Sequence, residues 1–203
     1  VSIAIWLVFT PERLTPIVNK QADKLLTCQS ELGEIELTFF STFPDFGIKI
    51  KNFRLINPTT GAQSDTLVSM NEFTGIVDIK TWWKTSDIVL VGMEMNGGTI
   101  NLWADSLGNS NYNIVAPDTA PEADDAEEES VTPRIDIKNI SLKDIDISYN
   151  DLSLKMSTGI KKLNAVISGI LLPDSLSGRI TMETPSISFD YDGEKYLQNA
   201  AVK

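Results

Sequence analysis

Apolar residues at every second position constrain this chain most, and they are densest in Asp87–Val115, DIVLVGMEMNGGTINLWADSLGNSNYNIV. Val89, Val91, Met93 and Met95 are two apart, the spacing of a strand with one apolar face. Asn96-Gly97-Gly98 is expected to turn the chain, because Asn and Gly tolerate positive φ. Ile100 and Leu102 resume the alternation, Asp105–Asn111 reads as a second polar turn, and Tyr112–Val115 as a short strand. The stretch is therefore expected to be a β-meander with a large apolar face. Such a face is either a core or a greasy groove, and it carries no acid–base pair and no metal-ligand spacing.

The same period runs through most of the chain. Ile35, Leu37 and Phe39 alternate with polar residues. In Gly47–Asn57, Ile48 and Ile50 alternate with lysines, and Phe53 and Leu55 continue one position out of phase, which suggests a bulge near Asn52. Leu67–Trp83 reads as a strand pair or one long strand, ending in Trp82-Trp83-Lys84. Arg134–Tyr149, with Ile135 and Ile137, is a strand ahead of an Asn150-Asp151 turn. Leu152, Leu154 and Met156 alternate next, followed by Gly159–Leu172 with Leu163 and Ile167. Arg179–Thr184 and Ser186–Tyr191 flank Pro185, ahead of an Asp192-Gly193 turn. The stretch RIDIKNISL echoes GIKIKNFRL, which hints at a repeated strand unit. The expected fold is mostly β: an elongated, curved, mainly antiparallel, groove-like sheet with one N-terminal amphipathic helix.

That helix is expected over residues 10–26. Thr10-Pro11-Glu12 supplies an N-cap, a proline in the first turn and an early acid. Leu14, Ile17, Val18, Ala22, Leu25 and Leu26 then recur at helical spacing, and Pro16 is a place where the helix could break or kink. Before it, Val1–Phe9 (VSIAIWLVF) is apolar at eight of nine positions, yet as a helix it covers only about 14 Å. A bilayer core is about 30 Å thick. Residues 1–9 are read as the end of a truncated transmembrane helix; the alternative is a buried first strand or helix. Trp6, Phe9, Arg13, Lys20 and Lys24 are the membrane-proximal candidates.

Composition narrows the function. The net charge is −11, but seven of the 28 acidic residues fall in Ala116–Pro133, which leaves 21 acids against 17 bases. That stretch also holds three prolines and few large apolar residues, so it is expected to be a flexible acidic loop between a first β section (27–115) and a second (134–203). No basic stripe marks a nucleic-acid interface. Histidine is absent, which removes Ser-His-Asp and Cys-His catalysis and the usual zinc ligands. Cys28 is the one cysteine and can form no internal disulfide. Asp136, Asp144, Asp146, Asp190 and Asp192 fall in the polar phase of strands or in turns. Nothing in the pattern points to an enzyme, a metal or a cofactor.

Four stretches are similar to the N-terminal part of the AsmA family, bacterial envelope proteins grouped with the repeating-β-groove, bridge-like lipid-transfer proteins. They are Val1–Leu26, an apolar helix end followed by an amphipathic helix; Ser41-Thr42-Phe43-Pro44 leading into Gly47–Pro58; Ile88–Trp103; and the D-x-x-G-x-x-N turn of Asp105, Gly108 and Asn111. The chain departs from the family in its incomplete membrane helix and its short length, so it is expected to be a fragment. The resemblance implies a single-pass anchor in the bacterial inner membrane with the β portion in the periplasm. It implies an apolar groove that binds or conducts phospholipid acyl chains between inner and outer membrane, supporting outer-membrane assembly, with an envelope protein as partner at the distal end. The groove candidates are Ile48, Ile50, Val89, Val91, Met93, Met95, Ile100, Leu102, Ile135, Ile137, Leu163 and Ile167. The alternative is a closed β-sandwich that serves as a scaffold or interaction module of the envelope and carries no lipid.

Overall fold

The computed structural model describes residues 10–39, 45–78, 80–81, 84, 89–114, 134–172 and 175–203. Among the described residues the elements are one helix, α1 (Pro11–Leu25), and nine strands. The first five are β1 (Ser30–Glu31), β2 (Ile35–Phe39), β3 (Phe46–Ile56), β4 (Thr66–Val77) and β5 (Val89–Ala104). The remaining four are β6 (Arg134–Asp151), β7 (Met156–Leu172), β8 (Ser175–Tyr191) and β9 (Glu194–Val202). All belong to one unclosed sheet ordered β1-β3-β4-β5-β6-β7-β8-β9, with β2 on the same edge of β3 as β1. Every ladder is antiparallel except β5–β6, which is parallel. The mostly β, mainly antiparallel reading therefore holds.

Two expected turns and one expected strand break are not found. Asn96-Gly97-Gly98 does not reverse the chain; β5 runs straight through it, so Asp87–Val115 is no meander. A two-residue type I′ turn needs positive φ at both central residues. Here Gly97 has φ 62° and Asn96 is not in that region, so the chain kinks and carries on. Pro185 likewise lies inside β8, and Asn150-Asp151 ends β6 rather than turning it. The turn comes later: Leu152 and Leu154, expected in a strand, lie in it. Residues 112–114 form no strand, and β9 was not expected. The expected strand over Leu67–Trp83 stops at Val77, where Asp78 accepts the N–H groups of Lys80 (2.9 Å) and Thr81 (3.4 Å) and starts a helical turn.

The phase change at Asn52 is real and extends beyond β3. Asn52 has φ 53°, and it separates Lys51, paired with Glu72, from Phe53, paired with Met70. The same line crosses β4 at Asn71, β5 at Gly97 and β6 at Asp144 (φ 54°), with register kept on either side. It continues after a small register step at Lys162 (φ 47°) on β7, opposite Pro185 of β8, whereas Asn199 (φ 52°) on β9 falls at the separate Ile187–Phe189 register step. One left-handed residue reverses the alternation of a strand. Because neighbouring strands reverse together, the apolar face stays on one side of the sheet. The expected bulge is thus a crease shared across strands.

Helix α1 begins at Pro11 after Thr10 and runs through Pro16 without interruption. Val18 packs against Ile35 and Ile50, so the helix covers the β2–β3 corner of the apolar face. At the far end of β5 the chain doubles back. Asp105 accepts the N–H groups of Leu107 and Asn109, both at 2.8 Å, and Gly108 takes φ 85°. Asn111, with no exposed surface, then caps the end of β5, accepting from the Trp103 N–H (2.8 Å) and donating to the Asn101 carbonyl (2.9 Å). The D-x-x-G-x-x-N spacing is a strand-end cap.

Candidate functional site

Residues paired across adjacent strands project to the same face. Reading across the ladders gives rows of apolar side chains. One is Ile50–Phe73–Met95–Leu142–Ala165–Met182. Another is Ile48–Gly75–Met93–Ile140–Ile167–Ile180. Beyond the crease lie Phe53–Met70–Gly98–Ile145–Leu163 and Leu55–Val68–Ile100–Ile147–Ile160–Ile187. Leu102, Tyr149, Thr158, Phe189 and Leu197 form the next row. The intervening rows are polar, as in Lys51–Glu72–Asn96–Lys143 and Lys49–Thr74–Glu94–Ser141.

The polar face is held by ion pairs. Lys51 Nζ lies 2.7 Å from Glu36 and 3.2 Å from Glu34, and Lys161 Nζ lies 2.9 Å from Asp146. The hydrogen bond to Glu36, then that to Glu34, pushes the Lys51 ammonium above its ordinary value. The bond from Lys161 holds Asp146 below the usual carboxylate range. Asp105, Asp146 and Asp190 occupy a turn and two separate rows, so they do not converge. No group of three metal-ligating side chains occurs among the described residues.

The apolar face is most deeply buried at its centre, where Ile145, on the middle strand β6, has 0% exposure. Phe53, Val68, Met95, Ile100, Leu142 and Met182 are among those packed on the cluster of Met70, Ile145, Leu163 and Ala165. These surrounding residues are only partly buried, so the floor is filled and the walls remain accessible. An open depression of about 480 Å³ lies at β6–β8, but Ser141, Lys143, Asn164, Val166, Thr181 and Glu183 in its lining belong to the intervening rows, so it falls on the side opposite the apolar rows.

Of the groove candidates, Ile48, Ile50, Met93, Met95, Ile100, Leu102, Leu163 and Ile167 share this face. Ile50 and Leu163 are buried, so they are core rather than lining. Val89 and Val91 do not follow Met93. The β4–β5 register slips between Ile76 and Val77, so Leu90 takes the place beside Val77, and Val89, its neighbour in the strand, faces the other way and is buried. Val91 and Ile137 fall between paired positions, and Ile135 pairs with Leu90. Reading alternation alone missed Leu90, Leu142, Ile147, Ile160 and Met182; a slip of one residue hides such positions. The echo was also misaligned. Ile48-Lys49-Ile50-Lys51-Asn52-Phe53 corresponds row by row to Ile140-Ser141-Leu142-Lys143-Asp144-Ile145, with Asp144, not Asn139, at the crease.

Trp6 and Phe9, the acidic stretch and Trp82-Trp83 lie outside the described residues. Arg13 sits in α1, and Lys20 and Lys24 are exposed on it. No helix among the described residues is long and apolar enough to cross a membrane. Cys28 is free and half-buried, and burial pushes its thiol up. No family model matches the chain, and neither curated proteins nor solved structures yield a match.

Proposed function

We propose that this chain is a lipid-handling groove protein of the AsmA type rather than an enzyme, with phospholipid acyl chains lying against the apolar face. In this reading it is anchored in the bacterial inner membrane ahead of α1. Its β portion lies in the periplasm, where it passes lipid toward the outer membrane. The observation that carries the proposal is the unbroken run of apolar rows from β3 to β8, all on one side of a sheet that stays open. An acyl chain needs no polar site; each CH₂ removed from water contributes about 0.8 kcal/mol. The walls at Met95, Leu142 and Met182 supply such contact.

Native mass spectrometry of protein purified without detergent from a phospholipid-containing host tests this. Bound phospholipid is expected, and Leu142→Glu with Met182→Glu is expected to abolish it. Lipid-free protein that also fails to take up added phospholipid would sink the reading. A second reading, an envelope interaction module that carries no lipid, draws on the complete burial of Ile145. Its sandwich form has little to draw on, since the described strands make one layer.

A further inference from the structure

We propose that the end of the sheet formed by the turns after β5, β6 and β8 is a membrane-docking edge, which places leucine side chains in the interfacial layer of a zwitterionic phospholipid bilayer. The ladders bring these turns together: Ala104 pairs with Asp151, Asp151 with Met156, Met156 with Tyr191 and Tyr191 with Glu194. The turns are also tied to one another. The Leu152 N–H donates to the Ala104 carbonyl (3.0 Å) and the Asp192 N–H to the Lys155 carbonyl (2.9 Å).

Exposed large apolar side chains gather here. Leu107 is 88% exposed, Leu154 54% and Leu152 45%, and Tyr191 and Tyr196 stand beside them. Away from this end, Val166 and Ile180 are exposed singly on strands. Leucines at turn tips cannot be buried by the sheet they project from. Tyrosine, with an apolar ring and a polar tip, suits the headgroup boundary. A backbone entering a low-dielectric layer must also have its polar groups satisfied internally. The turns meet that need: Asp105 holds the Leu107 and Asn109 N–H groups, and Asp151 holds the Leu154 N–H (2.9 Å).

Charge decides between occupants. A basic protein partner would need free carboxylates. Asp105 also holds the Asn109 amide, Asp151 the Tyr149 and Ser153 hydroxyls, and Asp192 the Lys155 ammonium at 2.7 Å. Glu194 and Lys195, exposed next to each other at the start of β9, are of opposite sign, so with Lys155 paired the edge offers neither a run of free carboxylates nor a cationic cluster to select anionic lipid. This surface is distinct from the trough and would dock an empty sheet as well as a loaded one.

The test uses the full chain carrying Cys28→Ser. A single cysteine is placed by Leu107→Cys or Leu154→Cys, or by Val166→Cys or Thr181→Cys as controls on the intervening rows, and labelled with an environment-sensitive fluorophore. Phosphatidylcholine vesicles are expected to shift emission to the blue and to remove iodide quenching at 107 and 154 but not at 166 and 181. An admixture of phosphatidylglycerol is expected to weaken the effect. Tip labels that stay water-exposed on vesicle-bound protein overturn the proposal, because the chain is then held elsewhere. So do tip labels shielded before vesicles are added, or shielded only with anionic lipid. Bound lipid read by mass spectrometry is independent of these outcomes, so either proposal can fail alone.

Discussion

Asn52, Asp144, Lys162 and Asn199 hold left-handed backbone inside strands, where an ordinary side chain is strained. The strain is about 1–2 kcal/mol for a residue with a Cβ, less for Asn and Asp. Asn52→Gly should therefore leave the urea midpoint unchanged or raised, and Asn52→Val should lower stability by at least about 1–2 kcal/mol. Gly98 answers to space instead: a Cβ there would lie 2.2 Å from the Ser69 carbonyl oxygen and 2.7 Å from Met70 Sδ. Gly98→Ala is expected to cost about 1–3 kcal/mol in the same measurement. Asp105 is held below its usual 3.8, first by the Asn109 amide and then by backbone N–H groups. Its contribution is complete above 3.8; as pH falls below that, the unfolded chain takes up a proton that the folded turn still refuses, and stability drops. Midpoints measured on either side of pH 3.8 should fall less steeply for Asp105→Asn than for the parent chain. An equal slope would remove Asp105 from the turn's support.

Among elements, the end of β5 shows how one side chain replaces a missing strand. β4 has run out by Thr66, and Asn111 supplies the donor and the acceptor that the edge of β5 lacks. Asn111→Ala should leave both groups buried and unpartnered, a cost of about 1–3 kcal/mol each where water cannot reach them. The exposed neighbour Asn113, changed to Ala, is the control and should be near neutral by the same urea titration. Alternation in the sequence located β2, β3, β6, β7 and both halves of β8, because a strand with one wet face writes its period plainly. Where the chain reverses was less legible. Gly97 and Pro185 are residues that usually end strands, and here they sit on the crease line inside long ones. Leu152 and Leu154 have strand spacing but no neighbour to pair with, so their period carried no structural weight. β9 has bulges and little burial, and its residues lack a strong period to read.

For the whole molecule, the centre of the sheet bears the stability and the residues around it keep exposed surface. Ile145→Ala should cost about 2–5 kcal/mol, whereas Ile180→Ala, at an exposed position, should cost little. If the two cost the same, the floor of the trough is not packed as described. The apolar face was legible from Met93, Met95, Ile100 and Leu102. Its depth was not, since self-packing at Ile145 depends on how six strands curl together, and no single segment records that.

The one parallel pairing has a consequence for assembly. Antiparallel neighbours zip from their turns, where partners such as Tyr191 and Glu194 are almost adjacent in the chain. Between β5 and β6 no such starting point exists: Met93 meets Ile140 and Trp103 meets Asn150, partners far apart along the chain at every step. Closing long loops is entropically slow. β1–β5 and β6–β9 are thus expected to form as two separate ribbons whose joining limits the rate, so a slow refolding phase should respond to changes at Met95 and Leu142 and ignore those at Leu197.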